Sequence, residues 1–181
     1  MNRMVTEHAL HGGGILMLAP SAPRDAAEVL QFLNCAAGES DFLSARQGEF
    51  RFTVPQEEAF LRAQAQQPNC LHLTGKVQGR VMALAGLAAP WQPRIAHTAE
   101  LSIVVGRAFW RQGAGRAVVG RLLDFARAGG QTKLVHLGVN ARNHGAIALY
   151  RGFGFEQVGA LPGYFNVDSE YIDELLMTLT L

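Results

Sequence analysis

The sequence predicts an α+β domain in which a mixed β-sheet carries helices, and two observations lead to this prediction. Apolar residues follow strand-like and helix-like spacings in the order βααββ, then βαβα, then ββ. Of the 181 residues, 49% are hydrophobic and 17% are charged, which is enough apolar material for a packed core. A chain of this length fits one domain. We therefore expect a single domain over residues 15–181.

Local signals define the individual elements. Ser21, as an N-cap ahead of Pro23, opens the first helix, and Thr53 with Gln56 forms a capping box for the second. In that second helix we expect Ala59, Phe60 and Ala63 to face inward. The predicted strands are 15–19, 70–77, 80–89, 97–105, 134–139, 155–161 and 171–181, and the predicted helices are 22–37, 53–66, 113–128 and 143–151.

Residues 1–14 are predicted to be a flexible N-terminal lead-in. Gly12, Gly13 and Gly14 stand in a row there, and consecutive glycines weaken any regular element because they lose the most conformational freedom on folding. No charged n-region followed by an apolar h-region opens the chain, so we expect a cytoplasmic location.

Charge and cysteine content exclude several classes of partner. Lys and Arg number 16 against 15 Asp and Glu, a net charge of +1, so no nucleic-acid partner is predicted. The longest apolar run, residues 81–89, is about half of the ~20 residues that a membrane helix needs, so no membrane partner is predicted either. Cys35 and Cys70 are too few for a disulfide framework or a zinc site. We expect two buried free thiols and no metal site.

The most informative segment is Trp110–Arg116, WRQGAGR, which follows a strand and opens a long helix. A helix start offers unpaired backbone N–H groups and the positive end of the helix dipole, which suits a phosphate or a diphosphate. Gly113 and Gly115 let the backbone approach such a ligand without a Cβ atom in the way. Arg111 and Arg116 flank the turn and can pair with further phosphate oxygens.

Other phosphate-binding motifs fit this turn poorly. A Walker loop requires Gly-Lys-Ser/Thr, whereas Arg116 and Ala117 follow Gly115. A dinucleotide fingerprint requires Gly or Ala where Val118 stands, and it belongs to the first unit of a Rossmann fold rather than to mid-chain. An ordinary helix cap with two glycines remains an alternative for this segment taken alone.

A second strand–helix unit follows at residues 137–155. Asn143 is a suitable cap for its helix, on which Ala146, Ile147 and Tyr150 recur at helical spacing. Tyr150 stands near the helix end, where its phenol could face a cleft between two strands. The alternative is an ordinary core tyrosine whose hydroxyl finds a surface partner.

Together the two units resemble the GNAT superfamily of acyl-CoA-dependent N-acetyltransferases, most specifically in Trp110–Arg116 and Asn140–Phe155. The resemblance implies a central mixed, mostly antiparallel sheet of about seven strands with helices on both faces, and acetyl-CoA as cofactor. One departure is Trp110, where the family usually has Gln or Arg. The residues implied to bind the cofactor are Ile103, Val104, Val105, Arg111, Gln112, Gly113, Ala114, Gly115, Arg116, Asn143, Ala146 and Tyr150.

The resemblance also implies catalytic and acceptor-side roles. Tyr150 is the expected general acid for the departing thiolate, and Glu100, at the start of the central strand, is the candidate base. Ser102 shares a strand face with Glu100 and can order a water there. Glu39 and Phe42 occupy the loop that borders the acceptor site in the family.

We therefore predict an N-acetyltransferase that acts on a small-molecule or peptide primary amine. Because neither Cys35 nor Cys70 lies in the two motifs, the amine is expected to attack directly in a ternary complex. The alternative is a non-catalytic acyl-CoA-binding sensor or partner-binding module on the same fold. Dimers are common in the family, so a homodimer is one expected oligomeric state.

Overall fold

Eight strands form one sheet among residues 5–181, which are the residues that the computed structural model describes. The strands are β1 (Thr6–Ala9), β2 (Ile15–Pro20), β3 (Leu71–Val77), β4 (Arg80–Ala88), β5 (Thr98–Val105), β6 (Leu134–Asn140), β7 (Glu156–Val167) and β8 (Glu170–Thr180). The α-helices are α1 (Ala26–Glu39), α2 (Val54–Gln66), α3 (Ala114–Gly129) and α4 (His144–Arg151). Short 3-10 turns lie at Pro23–Asp25 and Arg107–Phe109.

The strands lie in the order β1-β2-β3-β4-β5-β6-β8-β7. Every neighbouring pair is antiparallel except β5 and β6, which are parallel. The α3 helix connects these two strands as a parallel crossover requires. The predicted mixed, mostly antiparallel sheet is confirmed, with one strand more than the seven expected.

The additional strand corrects the prediction of a flexible lead-in. Residues 5–14 contain β1, which pairs with β2 in a hairpin. The glycines form the turn of this hairpin. Gly13 and Gly14 have φ angles of 87° and 90°, which residues other than glycine rarely adopt. These angles reverse the chain direction here. Residues 1–4 of the predicted lead-in lie outside the described residues.

Helices cover both faces of the sheet, as predicted. The α3 and α4 helices pack on one face over the larger core, which includes Leu122, Val135 and Met177. The α1 helix packs on the other face against β4 and β5, in a smaller core built around Val29 and Phe32, and α2 packs against β3. The acceptor and cofactor candidates are thus divided between two faces of one sheet.

Three local predictions are wrong. Ser21 does not cap the first helix, because its hydroxyl bonds the His72 Nδ1 at 2.8 Å and the helical segment begins with the 3-10 turn. In α2, Ala59, Phe60 and Ala63 are all exposed, while the buried positions are Glu57 and Leu61. The free thiols are not buried either, since Cys35 is exposed and Cys70 is partly exposed.

Candidate functional site

The two parallel strands at the centre of the sheet part from one another. Register pairs join β5 and β6 only from Thr98–Leu134 to Glu100–His136. Beyond that point β5 runs on to Val105 and β6 to Asn140 without pairing. Because each strand stays paired on its other side, the gap is held open by the rest of the sheet. Main-chain groups along this edge of β5 are therefore available to a ligand.

The turn after β5 adopts the backbone that its glycine predicts. Gly113 is the N-cap of α3 with φ of 93°, and Arg111 just before it has φ of 60°. A residue with a Cβ atom at position 113 would be strained, so glycine is required there. The first N–H groups of α3 consequently point out of the helix start without intrahelical partners.

Glycine at position 115 is favoured by helix packing, whereas Gly113 is required by its φ angle. A Cβ atom built on Gly115 would lie 3.0 Å from the Leu149 Cδ2 on α4, so its absence lets the two helices approach closely. The expected role of Gly115 in admitting a ligand is thus joined by a packing role. The neighbouring Ala114 is buried, with 1% of its surface exposed.

Two polar side chains of this turn, Gln112 and Arg116, have contacts within the protein. The Gln112 Nε2 donates to the Ala108 carbonyl at 2.6 Å. The Arg116 guanidinium lies 5.4 Å from the ring centre of Phe153, and the arginine is exposed to solvent. The exposed Arg111 forms no ion pair with a residue in the range 5–181. Of the two predicted arginines, Arg111 is therefore the freer to pair with an anion.

Trp110, the departure from the family pattern, fixes the turn to the end of β5. Its indole Nε1 donates to the Val105 carbonyl at 2.7 Å. Its ring stacks on Phe42, with ring centres 6.0 Å apart. The tryptophan therefore positions the helix start relative to the open strand edge through its own hydrogen bond.

The α4 helix places Tyr150 in the larger core, beside the gap. Asn143 caps the helix as predicted, its Oδ1 accepting from the Ala146 N–H at 3.1 Å. Tyr150 is 5% exposed, contacts Phe155, and forms no hydrogen bond with any residue of the range 5–181. Burial raises its pKa, so the phenol stays protonated at neutral pH and keeps a proton to donate.

One buried donor at the end of β6 has no partner. Asn140 is 2% exposed, and its Oδ1 accepts from the Arg142 N–H, but its Nδ2 forms no hydrogen bond. Such a group is costly unless something satisfies it. Asn140 was not among the predicted site residues, although it begins the second of the two motifs that carry the resemblance.

A cavity of about 500 Å³ lies on the opposite face, between α1, α2 and the sheet. His72 on β3 and Ser102 on β5 line its floor, and Gly86 on β4 lies between them as the register partner of both. A Cβ atom on Gly86 would lie 3.1 Å from the Ser102 Oγ, so the glycine keeps this floor open. Most of the remaining lining is apolar and includes Leu30, Leu33, Phe50, Phe52, Phe60 and Val104.

The predicted acceptor residues separate in the structure. Ser102 lines the cavity, whereas Glu39 and Phe42 do not. The Glu39 carboxylate accepts from the Arg107 main-chain N–H at 2.7 Å, and Phe42 stacks on Trp110. Both of these residues therefore hold the segment after β5 in place, and their predicted contact with the acceptor stays a prediction.

Two carboxylates flank the gap on the face that carries Ser102. Glu100 is exposed at the last paired position of β5. The Glu174 carboxylate, from β8, lies against Gly138 of β6, just beyond the point where the strands part. Burial, and then the charge of Glu100, raises the pKa of Glu174. The structure thus adds Glu174 to the predicted candidate Glu100.

The sequence and the fold match those of known proteins. Residues 40–155 match the profile of the Acetyltransferase (GNAT) family. A GNAT acetyltransferase structure from Streptococcus pneumoniae is 30% identical and superposes with a TM-score of 0.88 over 92% of this chain and 99% of that one. The chain therefore belongs to the GNAT acetyltransferase family. The predicted family is confirmed, and with it the predicted cofactor, acetyl-CoA.

Curated relatives match over shorter stretches. An uncharacterized Mycobacterium leprae protein is 35% identical over 112 residues, which are 59% of this chain and 28% of that protein. The N-alpha-acetyltransferase RimI of Mycobacterium tuberculosis is 42% identical over 66 residues, 36% of this chain and 39% of RimI. The alignments thus span well under half of either relative. Separately, none of the helices in residues 5–181 has the length and apolar character needed to span a membrane.

Proposed function

We propose that this chain is an N-acetyltransferase that transfers the acetyl group of acetyl-CoA to a primary amine by direct attack in a ternary complex. The observation that carries the proposal is the parting of β5 and β6 after Glu100 and His136. One end of the open β5 edge is fixed to the α3 turn through Trp110, and Ser102 and Val104 of the same strand line the cavity. Donor and acceptor can therefore meet along one strand.

The residues of the turn and of the gap suit the parts of coenzyme A. The N–H groups of the segment from Gln112 to Arg116 would hold the diphosphate at the start of α3. The open main chain at Ile103–Val105 would pair with the amide groups of the pantetheine arm. Asn143 and Ala146 on α4 would border that arm, and the unpaired Asn140 Nδ2 would gain an acceptor there. Acetyl-CoA supplies an acyl group activated as a thioester.

Two groups of the chain would act on the reacting atoms. A main-chain N–H of Val104 or Val105 would polarise the thioester carbonyl and stabilise the negative charge that develops on its oxygen. Tyr150 would donate its proton, or a strong hydrogen bond, to the departing sulfur. Its burial among apolar residues supports this role, because the phenol remains neutral and has no competing hydrogen bond.

The attacking amine must first lose a proton, and Glu100 is the proposed acceptor of it. Glu100 shares its strand face with Ser102, which can order an intervening water. Glu174 lies beside it and, with a raised pKa, would accept a proton more readily than an ordinary carboxylate. Neither Cys35 nor Cys70 lines the cavity, which supports direct attack over an acyl-cysteine intermediate.

A thiol-release assay tests the proposal. The purified chain is incubated with acetyl-CoA and with amines of several classes: alkyl monoamines, diamines, amino acids and peptides with free N-termini. We expect amine-dependent release of coenzyme A, with mass spectrometry detecting the acetylated amine. Tight binding of coenzyme A by calorimetry with no release on any amine would contradict the proposal and favour the non-catalytic module. A homodimer and a cytoplasmic location stay predictions.

A further inference from the structure

The cavity between α1, α2 and the sheet, which we call the acceptor cavity, is lined by a largely buried acidic residue whose carboxylate has no partner among the described residues. Glu57, on α2, is 5% exposed and lines the cavity. Its side chain forms no hydrogen bond and no ion pair with any residue between 5 and 181. Buried carboxylates are normally paired, because removing an unpaired charge from water is costly. The Glu57 carboxylate therefore lacks a neighbouring cation or hydrogen-bond donor.

No side chain of the described residues supplies this cation or donor. Burial lowers the pKa of His72, on the cavity floor, to about 4, and its Nδ1 is bonded to the Ser21 hydroxyl, so the ring is neutral at physiological pH. Arg51 also lines the cavity, but it is exposed and forms no ion pair with Glu57. The Glu49 carboxylate is engaged by the Arg46 N–H. A ligand is the remaining source of a cation.

Glu57 enters the cavity from α2, which packs against β3. It stands one helical turn before Phe60, whose ring contacts the His72 ring edge-on at 5.8 Å. His72 is on β3 and Ser102 on β5, two strands apart, which is roughly 10 Å at the usual strand spacing. A nitrogen at the reacting edge of β5 would therefore be about two strand spacings away from the β3 side, on which α2 carries Glu57. The carboxylate is thus suited to a second group of the acceptor.

We propose that Glu57 recognises a second cationic group on the acceptor, so that the substrate class is an amine with an apolar middle and a positive charge at each end. This inference rests on the proposed acetyltransferase function. One amine lies at β5 for acetylation, the apolar body packs against Leu30, Leu33 and Phe60, and the far ammonium pairs with Glu57.

The test compares two probes of equal length in three proteins. The probes are 1,5-diaminopentane and 1-aminopentane, and the proteins are wild type, Glu57→Gln and the matched control Glu58→Gln, whose residue neighbours Glu57 but does not line the cavity. In wild type we expect kcat/KM for the diamine to exceed that for the monoamine about ten- to a hundredfold, the usual effect of one charged hydrogen bond. Glu57→Gln should bring this ratio close to one by raising the KM of the diamine, while Glu58→Gln keeps it.

A binding measurement separates this inference from the acetyltransferase proposal. Calorimetry of 1,5-diaminopentane with the protein saturated with coenzyme A should give a Kd that rises about tenfold or more in Glu57→Gln. Binding that depends on Glu57 without any thiol release would support the recognition site and overturn the catalytic proposal. Thiol release that favours the monoamine or an amino acid, with no effect of Glu57→Gln, would overturn the recognition site alone. Because the two probes are compared within wild type, the result does not depend on the variant folding well.

Discussion

The charge of Glu100 acts on the carboxylate of Glu174 across the gap between β5 and β6. Glu100 occupies the last paired position of β5, and Glu174 reaches over Gly138 on β6. Burial, with a further contribution from the charge of Glu100, raises the pKa of Glu174. A carboxylate whose pKa is raised holds a proton more readily, which is the property that a general base for an amine needs.

Replacing Glu100 should therefore change both the rate and its pH dependence. We expect Glu100→Gln to lower kcat about a hundredfold, the usual contribution of a general base. Removing its charge also lowers the pKa of Glu174, so the acid limb of the remaining kcat/KM–pH profile should move to lower pH. Steady-state kinetics across pH measure both effects, with Asp124→Asn, an exposed carboxylate on α3, as the control. An unchanged kcat would remove Glu100 from the mechanism.

The phenol of Tyr150 can be tested without disturbing the core. Because Tyr150 is 5% exposed and forms no hydrogen bond within the described chain, Tyr150→Phe keeps the packing and loses only the hydroxyl. We expect kcat to fall about a hundredfold with the Kd of coenzyme A unchanged. Tyr171→Phe, at a side chain that is 73% exposed, is the matched control. Equal kcat in both variants over the whole pH range would show that Tyr150 is an ordinary core residue.

Substituting the glycines at the two ends of α3 distinguishes an effect on coenzyme A binding from an effect on helix stability. Gly113 and Gly130 cap α3 at its start and at its end, with φ angles of 93° and 68°. Alanine at either position meets the same left-handed strain, about 1–2 kcal/mol. We expect Gly113→Ala to raise the Kd of coenzyme A several-fold by calorimetry, while Gly130→Ala lowers stability and leaves that Kd unchanged. If Gly113→Ala and Gly130→Ala gave the same Kd for coenzyme A, the turn before α3 would act only as a helix cap.

The floor of the cavity offers a test of the acceptor side. Gly86 lies between His72 and Ser102, and a methyl group there would reach to 3.1 Å from the Ser102 Oγ. We therefore expect Gly86→Ala to raise the KM of the amine, or to restrict the amines accepted, with the KM of acetyl-CoA unchanged. The measurement is thiol release at varied concentrations of each substrate. An unchanged KM for every amine would place the acceptor outside this cavity.

Features set by a few neighbouring residues could be predicted from the sequence. Thr53 and Gln56 form the expected capping box, and Asn143 caps α4, because such caps depend on side chains within one turn. The left-handed Gly113 at the helix start follows from the same local chemistry. The hairpin at the N-terminus was missed because consecutive glycines suit both a mobile segment and a tight turn, and pairing with β2 decides between them.

Features set by tertiary contacts could not be predicted in the same way. Glu57 was missed because a charged residue on a helix is expected to face solvent, and only the packing of α2 on the sheet buries it. Its spacing of four from the buried Leu61 was the one available signal. Glu174 faces Glu100 through the order of β5, β6 and β8, which no local pattern encodes. The contact of Glu39 with Arg107 could not be predicted, because the two residues are 68 positions apart in the chain.

The partly buried His72 of the cavity floor makes stability depend on pH. Burial lowers the pKa of His72 to about 4 in the folded protein, against 6.5 for an ordinary histidine. Above pH 6.5 the ring is neutral in both states and stability is full; as pH falls from 6.5 to about 4, only the unfolded chain takes up the proton, so folding weakens. The loss is at most about 3 kcal/mol.

We expect His72→Gln to remove this slope. Urea unfolding at several pH values between 4 and 7 measures the free energy of unfolding, and wild type should lose stability across that window while the variant loses less. Glu57, whose pKa is raised by burial, acts in the opposite direction, but it is present in both proteins and cancels in their difference. His97→Gln, at an exposed histidine, serves as the control and should follow wild type. Parallel slopes for wild type and His72→Gln would mean that the ring takes up its proton in the folded state as readily as in the unfolded chain.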